Sequence, residues 1–144
     1  MISSFNHYIQ TKKVKRKTPD PEEAKALLQQ AQERLTYAAS KTFNDKTAKF
    51  VLEEAYEAMR EAIQSLMSAK GFKPYSHEAT ISFLKEFYND IFSEEESNKL
   101  DYFRNLRNDS VYKAAPITKE EAKAILSFAP PFIKKIIKIG KKQP

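Results

Sequence analysis

The chain has 144 residues, with 25 Lys and Arg against 19 Asp and Glu, a formal charge of +6, two Gly, two His and no Cys. Two Gly cannot supply the positive-φ turns of a sandwich or barrel, which needs a turn every ~8–12 residues, so an all-β fold is excluded. Without Cys there can be no disulfide, thiolate zinc, iron–sulfur ligation or thiol nucleophile.

Ile2, Phe5, Tyr8 and Ile9 fall at helical spacing behind Ser3 and Ser4, which predicts a short helix packed on the body. The following run to Thr18 reads as a loop. Residues 1–19 carry five basic residues and no acid, and form a basic N-terminal arm. Asp20, Pro21 and Glu23 make a strong helix start, and the stripe Ala24, Leu27, Leu28, Ala31, Leu35 and Ala38 carries that helix to about Ser40. Asn44 or Asp45 opens the next helix, whose stripe from Ala48 to Met67 is the longest and most regular; Gly71 and Pro74 end it. Ser76 caps a third long helix through Ala79, Ile81, Phe83, Leu84, Phe87, Tyr88 and Ile91. Ser93-x-x-Glu96 is a capping box for a fourth, through Leu100, Phe103, Leu106 and Val111 to about Lys113. Thr118-x-x-Glu121 opens a fifth with Ala122, Ile125, Leu126 and Ala129. Pro130-Pro131 is expected to kink or break it, and the stripe resumes from Phe132 to Gly140 before a basic tail, 140–144.

Amphipathic helices with short connections and no strand pattern predict an all-α, up-and-down bundle of four to five helices in a single domain, 1–144. The stretch between the ends is mildly acidic, so the positive charge sits at the two termini. No apolar run resembles a secretory signal or approaches the ~20 residues of a membrane span, so a cytoplasmic protein without a membrane partner is expected.

Candidate chemistry is sparse. Glu53, Glu54, Glu57 and Glu61 lie at helical spacing, but a di-iron site needs Glu-x-x-His pairs on facing helices, so no metal and no cofactor is expected. Glu57, Arg60 and Glu61 read as a solvated face, His77 as an exposed helix-start residue, and Phe83, Phe87, Tyr88, Tyr102 and Phe103 as core. The stretch Tyr102-Phe-Arg-Asn-Leu-Arg-Asn-Asp-Ser-Val-Tyr112 is different. It puts Arg104, Asn105, Arg107, Asn108, Asp109 and Tyr112 in the last turns of one helix, offering guanidinium forks and amides suited to phosphate and base contacts. The ordinary reading is that Arg suits a helix C-terminus and that Asn and Asp end helices.

The order of these pieces resembles the HEPN domain (higher eukaryotes and prokaryotes nucleotide-binding) from about Asp20 to Ile139. The matching pieces are the Ala/Leu-rich opening helix, Glu-Ala-Tyr-Glu-Ala-Met-Arg-Glu-Ala-Ile at 54–63, Ala-Lys-Gly-Phe-Lys-Pro-Tyr-Ser-His at 69–77, Arg-Asn-Asp-Ser-Val-Tyr at 107–112, and Ile-Thr-Lys-Glu-Glu-Ala at 117–122. The resemblance implies a homodimer whose motifs meet in a cleft. It also implies a metal-independent ribonuclease motif of Arg, four to six residues, then His, and often a minimal nucleotidyltransferase partner in a toxin–antitoxin pair. Here Arg107 matches the motif Arg, Asn108 the polar residue after it, and Tyr112 falls where His belongs; a second register pairs Arg104 with Ser110. The chain is closer to the archaeal and bacterial branch with Arg-x4-Tyr than to the His-bearing toxins. Phenols ordinarily titrate near about 10, far from the range in which His moves protons.

Three readings stand. The first is a catalytically degenerate module that binds RNA or nucleotide through Arg104, Arg107, Asn108 and Asp109 and pairs with a nucleotidyltransferase. The second is a ribonuclease toxin with Arg107 and Tyr112 catalytic. The third is a structural helical bundle with no nucleic-acid function. The long second helix is also a candidate dimer contact, unless the monomer core consumes its stripe.

Overall fold

Side-chain caps set most of the helix starts. In the computed structural model, which describes residues 2–142, Ser4 accepts from His7 N at the head of α1 (Phe5–Gln10). Asp20 accepts from Glu23 N at α2 (Pro21–Ser40), and Ser76 from Ala79 N at α4 (His77–Phe87). Ser93 and Glu96 form a reciprocal capping box at α5 (Glu94–Lys113). Thr118 and Glu121 do the same at α6 (Lys119–Lys142), where the Asp45 carboxylate also accepts from Lys119 N at 2.9 Å. The exception is α3 (Ala48–Lys70), which starts at Thr47 rather than at Asn44 or Asp45. Asn44 instead folds its side chain onto the N–H groups of Lys46 and Thr47, making a turn of its own before the helix.

The chain belongs to the all-α class, a bundle of six helices among the described residues. At its centre is α3, with α2 and α6 packed along it and α4 and α5 closing the far side. Its stripe is consumed inside the monomer: Leu52, Ala55, Tyr56, Met59, Ala62, Ile63, Leu66 and Met67 are all buried. Phe50, 61% exposed, is the one large apolar side chain that α3 leaves exposed among the described residues.

Three expectations are corrected. The loop after α1 contains β1 (Val14–Arg16), which pairs antiparallel with β2 (Phe72–Pro74) in the register Val14↔Pro74, Lys15↔Lys73, Arg16↔Phe72. A three-residue strand is too short to betray itself by alternation. Its inward residue, Val14, is only 1% exposed and anchors the ribbon. Gly71 makes the ribbon fit the body. Its φ of 88° ends α3 in the left-handed region, and a Cβ there would stand 2.6 Å from Lys17 O, the neighbour whose N–H donates to Gly71 O. Second, Pro130 and Pro131 do not break α6, which runs on to Lys142 rather than stopping at Gly140; Gln143 and Pro144 of the expected tail lie outside the described residues. Both prolines are on the exposed side, while Ile125, Ala129, Phe132, Ile133 and Ile136 keep one face buried across them. Third, of the aromatic stripe Phe83, Tyr88 and Phe103 are core, whereas Phe87 and Tyr102 are exposed. No helix of the described residues is long and apolar enough to cross a membrane.

Candidate functional site

Three elements converge beside the middle of α3. Tyr56, Glu57 and Arg60 stand on one side of that helix, His77 and Glu78 open α4, and Arg104 and Arg107 project from α5 one turn apart. The Ser76 cap fixes where α4 begins and so places His77 at its first position.

Arg60 binds Glu57 through Nε at 3.1 Å and Nη2 at 2.8 Å to the same carboxylate oxygen, and Nη1 donates to Gln64 at 3.0 Å. Arg104 is buried; its Nε donates to Asp101 at 2.7 Å, and Nη1 lies 3.9 Å from Glu78. Arg107 donates from Nη1 to its neighbour Asn108 at 3.2 Å, and Nη2 stands 3.9 Å from Glu57, beyond hydrogen-bond reach. Its Nε is buried with no acceptor. Three guanidiniums thus meet three carboxylates, and net charge does not single out any of them. Donor accounting does. Arg60 and Arg104 are held by carboxylates at short range, whereas Arg107 has N–H groups left over beside a carboxylate already committed to Arg60. A buried unsatisfied donor costs about 1–3 kcal/mol, which an anionic acceptor would recover.

The imidazole of His77 stacks on Tyr56 with ring centroids 5.7 Å apart, and its Nδ1 is 3.4 Å from the Tyr56 hydroxyl. Burial lowers the His77 pKa, the charges of Arg60, Arg107 and Arg104 lower it further, and only Glu57 opposes them. Burial would raise Glu57, but the Arg60 hydrogen bond and charge, with His77 and Arg107, hold it below its usual value. Burial pushes the Tyr56 hydroxyl well up, so it stays a neutral donor and acceptor. The site therefore holds a neutral imidazole, a neutral phenol, an ionised carboxylate and three guanidiniums. Such a set can bind a phosphate and place a titratable group beside it.

The candidates from sequence divide. Arg104 and Arg107 lie in the cluster, and Asn108 orients Arg107. Asp109 is exposed and pairs with Lys113 at 3.6 Å, while its carbonyl accepts from Ala114 and Ala115 at the end of α5. Tyr112 is 74% exposed, its ring 5.8 Å from the Arg107 guanidinium carbon. Two expectations are overturned. His77 is half-buried rather than exposed, because α4 packs its first turn against Tyr56. The face of Glu57, Arg60 and Glu61 is not solvated: Glu57 faces α5, and Glu61 is buried 2.6 Å from Arg34, which also holds Glu54 at 2.6 Å. Those two carboxylates keep the Arg34 pKa above its usual value although burial pulls it down. Glu54, Glu57 and Glu61 are thus each committed to an arginine, and no group of three or more metal-ligating residues occurs among the described residues.

Sequence reasoning missed Tyr56, Arg60 and His77. They sit in the segments 54–63 and 69–77 that carry the family resemblance, and that shared placement was the one signal pointing to them.

The family model described as HEPN domain matches residues 24–140, most of the chain. No curated protein matches it.

Proposed function

The chain belongs to the HEPN domain family, and we propose that it is an RNA- and nucleotide-binding interaction module that is catalytically degenerate. In this reading it acts as a homodimer in the cytoplasm and partners a minimal nucleotidyltransferase in a toxin–antitoxin-type system. Membership in the family carries the nucleotide- or RNA-related function; the remainder is the finer reading. One observation supports the site: the Arg107 Nε is a buried donor without an acceptor, and Nη2 of the same guanidinium stands 3.9 Å from Glu57, beyond hydrogen-bond reach. A phosphate oxygen satisfies that donor, with Arg104 and Arg60 adding long-range attraction. The degenerate reading is supported by the motif position, where Tyr112 stands in place of His.

The test is fluorescence anisotropy with a labelled single-stranded RNA of about 12 nucleotides, a length within the usual footprint of such sites. Binding should weaken as salt rises. Arg107→Ala should weaken it about tenfold or more, the range for one charge-assisted contact of about 1.5–3 kcal/mol. RNA that binds equally to wild type and variant would overturn the assignment of the site.

One observation favours a second reading, a metal-independent ribonuclease: an imidazole, His77, stands in the arginine cluster after all, supplied by α4 rather than α5. On that reading, RNA is cleaved in the presence of chelator and His77→Ala abolishes cleavage while Tyr112→Phe does not. RNA that stays intact through prolonged incubation with pure protein overturns the ribonuclease and leaves the degenerate module.

A further inference from the structure

The ribbon of β1 and β2 has two unlike faces. Val14, Pro74, Arg16 and Phe72 share one face by alternation, with Val14 and Phe72 buried against the body and Arg16 exposed beside the Phe72 ring. By alternation, Lys15 and Lys73 lie opposite each other on the outer face. The same register continues one pair outward, where Tyr75 N donates to Lys13 O at 2.7 Å, and brings Lys13 opposite Tyr75. Tyr75 is 53% exposed, with the Lys15 and Lys73 ammonium groups 5.2 and 5.5 Å from its ring centre.

Like charges directly across a ribbon destabilise it. Among the described residues, Lys13, Lys15 and Lys73 have no carboxylate partner, and neither strand contains an acid. The ribbon is nonetheless fixed in place by Val14, by the Gly71 turn and by the Asp20 N–H bond to Ser68 O at 3.0 Å. It leads directly into the helix that carries His77: Tyr75 is two residues before His77, so their Cα atoms are within about 8 Å. Residues 14–16 precede the family-matched region, 24–140.

We propose that the outer face of the ribbon is a second subsite for single-stranded RNA. Lys13, Lys15 and Lys73 hold backbone phosphates, Tyr75 stacks on a base, and the strand continues into the Arg107 cluster. Cations around an exposed aromatic ring are the combination that single-strand binders use, because every base has a π-face and every link a phosphate. The inference rests on the reading of the Arg107 site and sharpens it: the ligand is a polymer rather than a mononucleotide.

The test compares oligouridines of about 12 and about 3 nucleotides. The triple variant Lys15→Ala, Lys73→Ala, Tyr75→Ala should lose about tenfold or more for the long RNA and at most about twofold for the short one. The conservative set Lys15→Arg, Lys73→Arg, Tyr75→Phe should bind the long RNA like wild type, since charge and ring are both kept. All three side chains are exposed, and circular dichroism melting of each variant checks that the fold persists. Unchanged binding of the long RNA by the Ala variant overturns the subsite even if Arg107→Ala abolishes binding. Loss in the ribbon variant with no effect of Arg107→Ala keeps the ribbon and overturns the cluster. Failure of wild type to bind either RNA overturns both. Ribbon-dependent binding to phosphatidylserine vesicles without RNA binding assigns the patch to a membrane surface and overturns it as well.

Discussion

On the proposed reading, His77 couples the fold to the ligand. Its folded pKa is depressed below the ordinary 6.5 by burial and by Arg60, Arg107 and Arg104. The unfolded chain therefore binds a proton that the folded one refuses in the window between the lowered value and about 6.5. His77 costs no stability above that window, and stability falls as pH drops through it. A phosphate bound at Arg107 reverses the sign for binding, because an anion near the ring favours imidazolium. RNA affinity should therefore rise as pH falls from about 8 to about 6, and His77→Asn should flatten that rise. Anisotropy titrations across the range check it. Parallel pH profiles for wild type and variant would mean that the ligand never faces the ring.

At the scale of elements, α6 is the clearest conflict between local rule and tertiary packing. Pro130 and Pro131 have no N–H for the carbonyls one turn earlier, an interior cost of about 3 kcal/mol for a typical proline. The helix persists because Phe132 packs on Phe92 at 5.1 Å and on Phe128 at 5.6 Å, and because Ile133 and Ile136 continue the buried face of Ile125 and Ala129. Both prolines are exposed, so Pro131→Ala should stabilise the protein by about 1–2 kcal/mol, the restored hydrogen bond being partly offset by a freer unfolded chain. Urea unfolding measures it, and a lower midpoint in the variant would contradict the account. The same contrast explains what the sequence could reveal. Caps and long stripes are local signals, so Ser76, the Ser93–Glu96 box and the stripe of α3 could be read directly. The two-stranded ribbon joins residues 14–16 to 72–74, far apart in sequence and too few to alternate visibly. The site was half legible for the same reason. Arg104 and Arg107 lie one turn apart on a single helix, whereas Tyr56, Arg60 and His77 meet them only through packing.

For the whole molecule, the question is whether residues 1–19 are an arm or part of the domain. Their charge suits a solvated tail, and the family match begins only at residue 24. Their apolar residues argue otherwise. Phe5 lies edge-on to Phe72 at 5.2 Å and to Phe83 at 5.8 Å, and the Tyr8 hydroxyl accepts from Ser3 N. Phe5, Tyr8 and Val14 are all buried. Fully burying a large apolar side chain is worth about 1.5–3 kcal/mol, an upper estimate because the unfolded chain already hides some of that surface. A chain starting at Asp20 would also expose Phe72 and Phe83 and leave β2 without its partner. Such a truncation should unfold at a clearly lower urea concentration and bind a hydrophobic dye that the full chain does not. An unchanged midpoint would make the first 19 residues a solubilising tail. The expected loss also means that truncation is the wrong probe of the ribbon, since RNA binding and stability would fall together. Substitutions on the outer face separate the two, because the buried face of the same strand is what carries the fold.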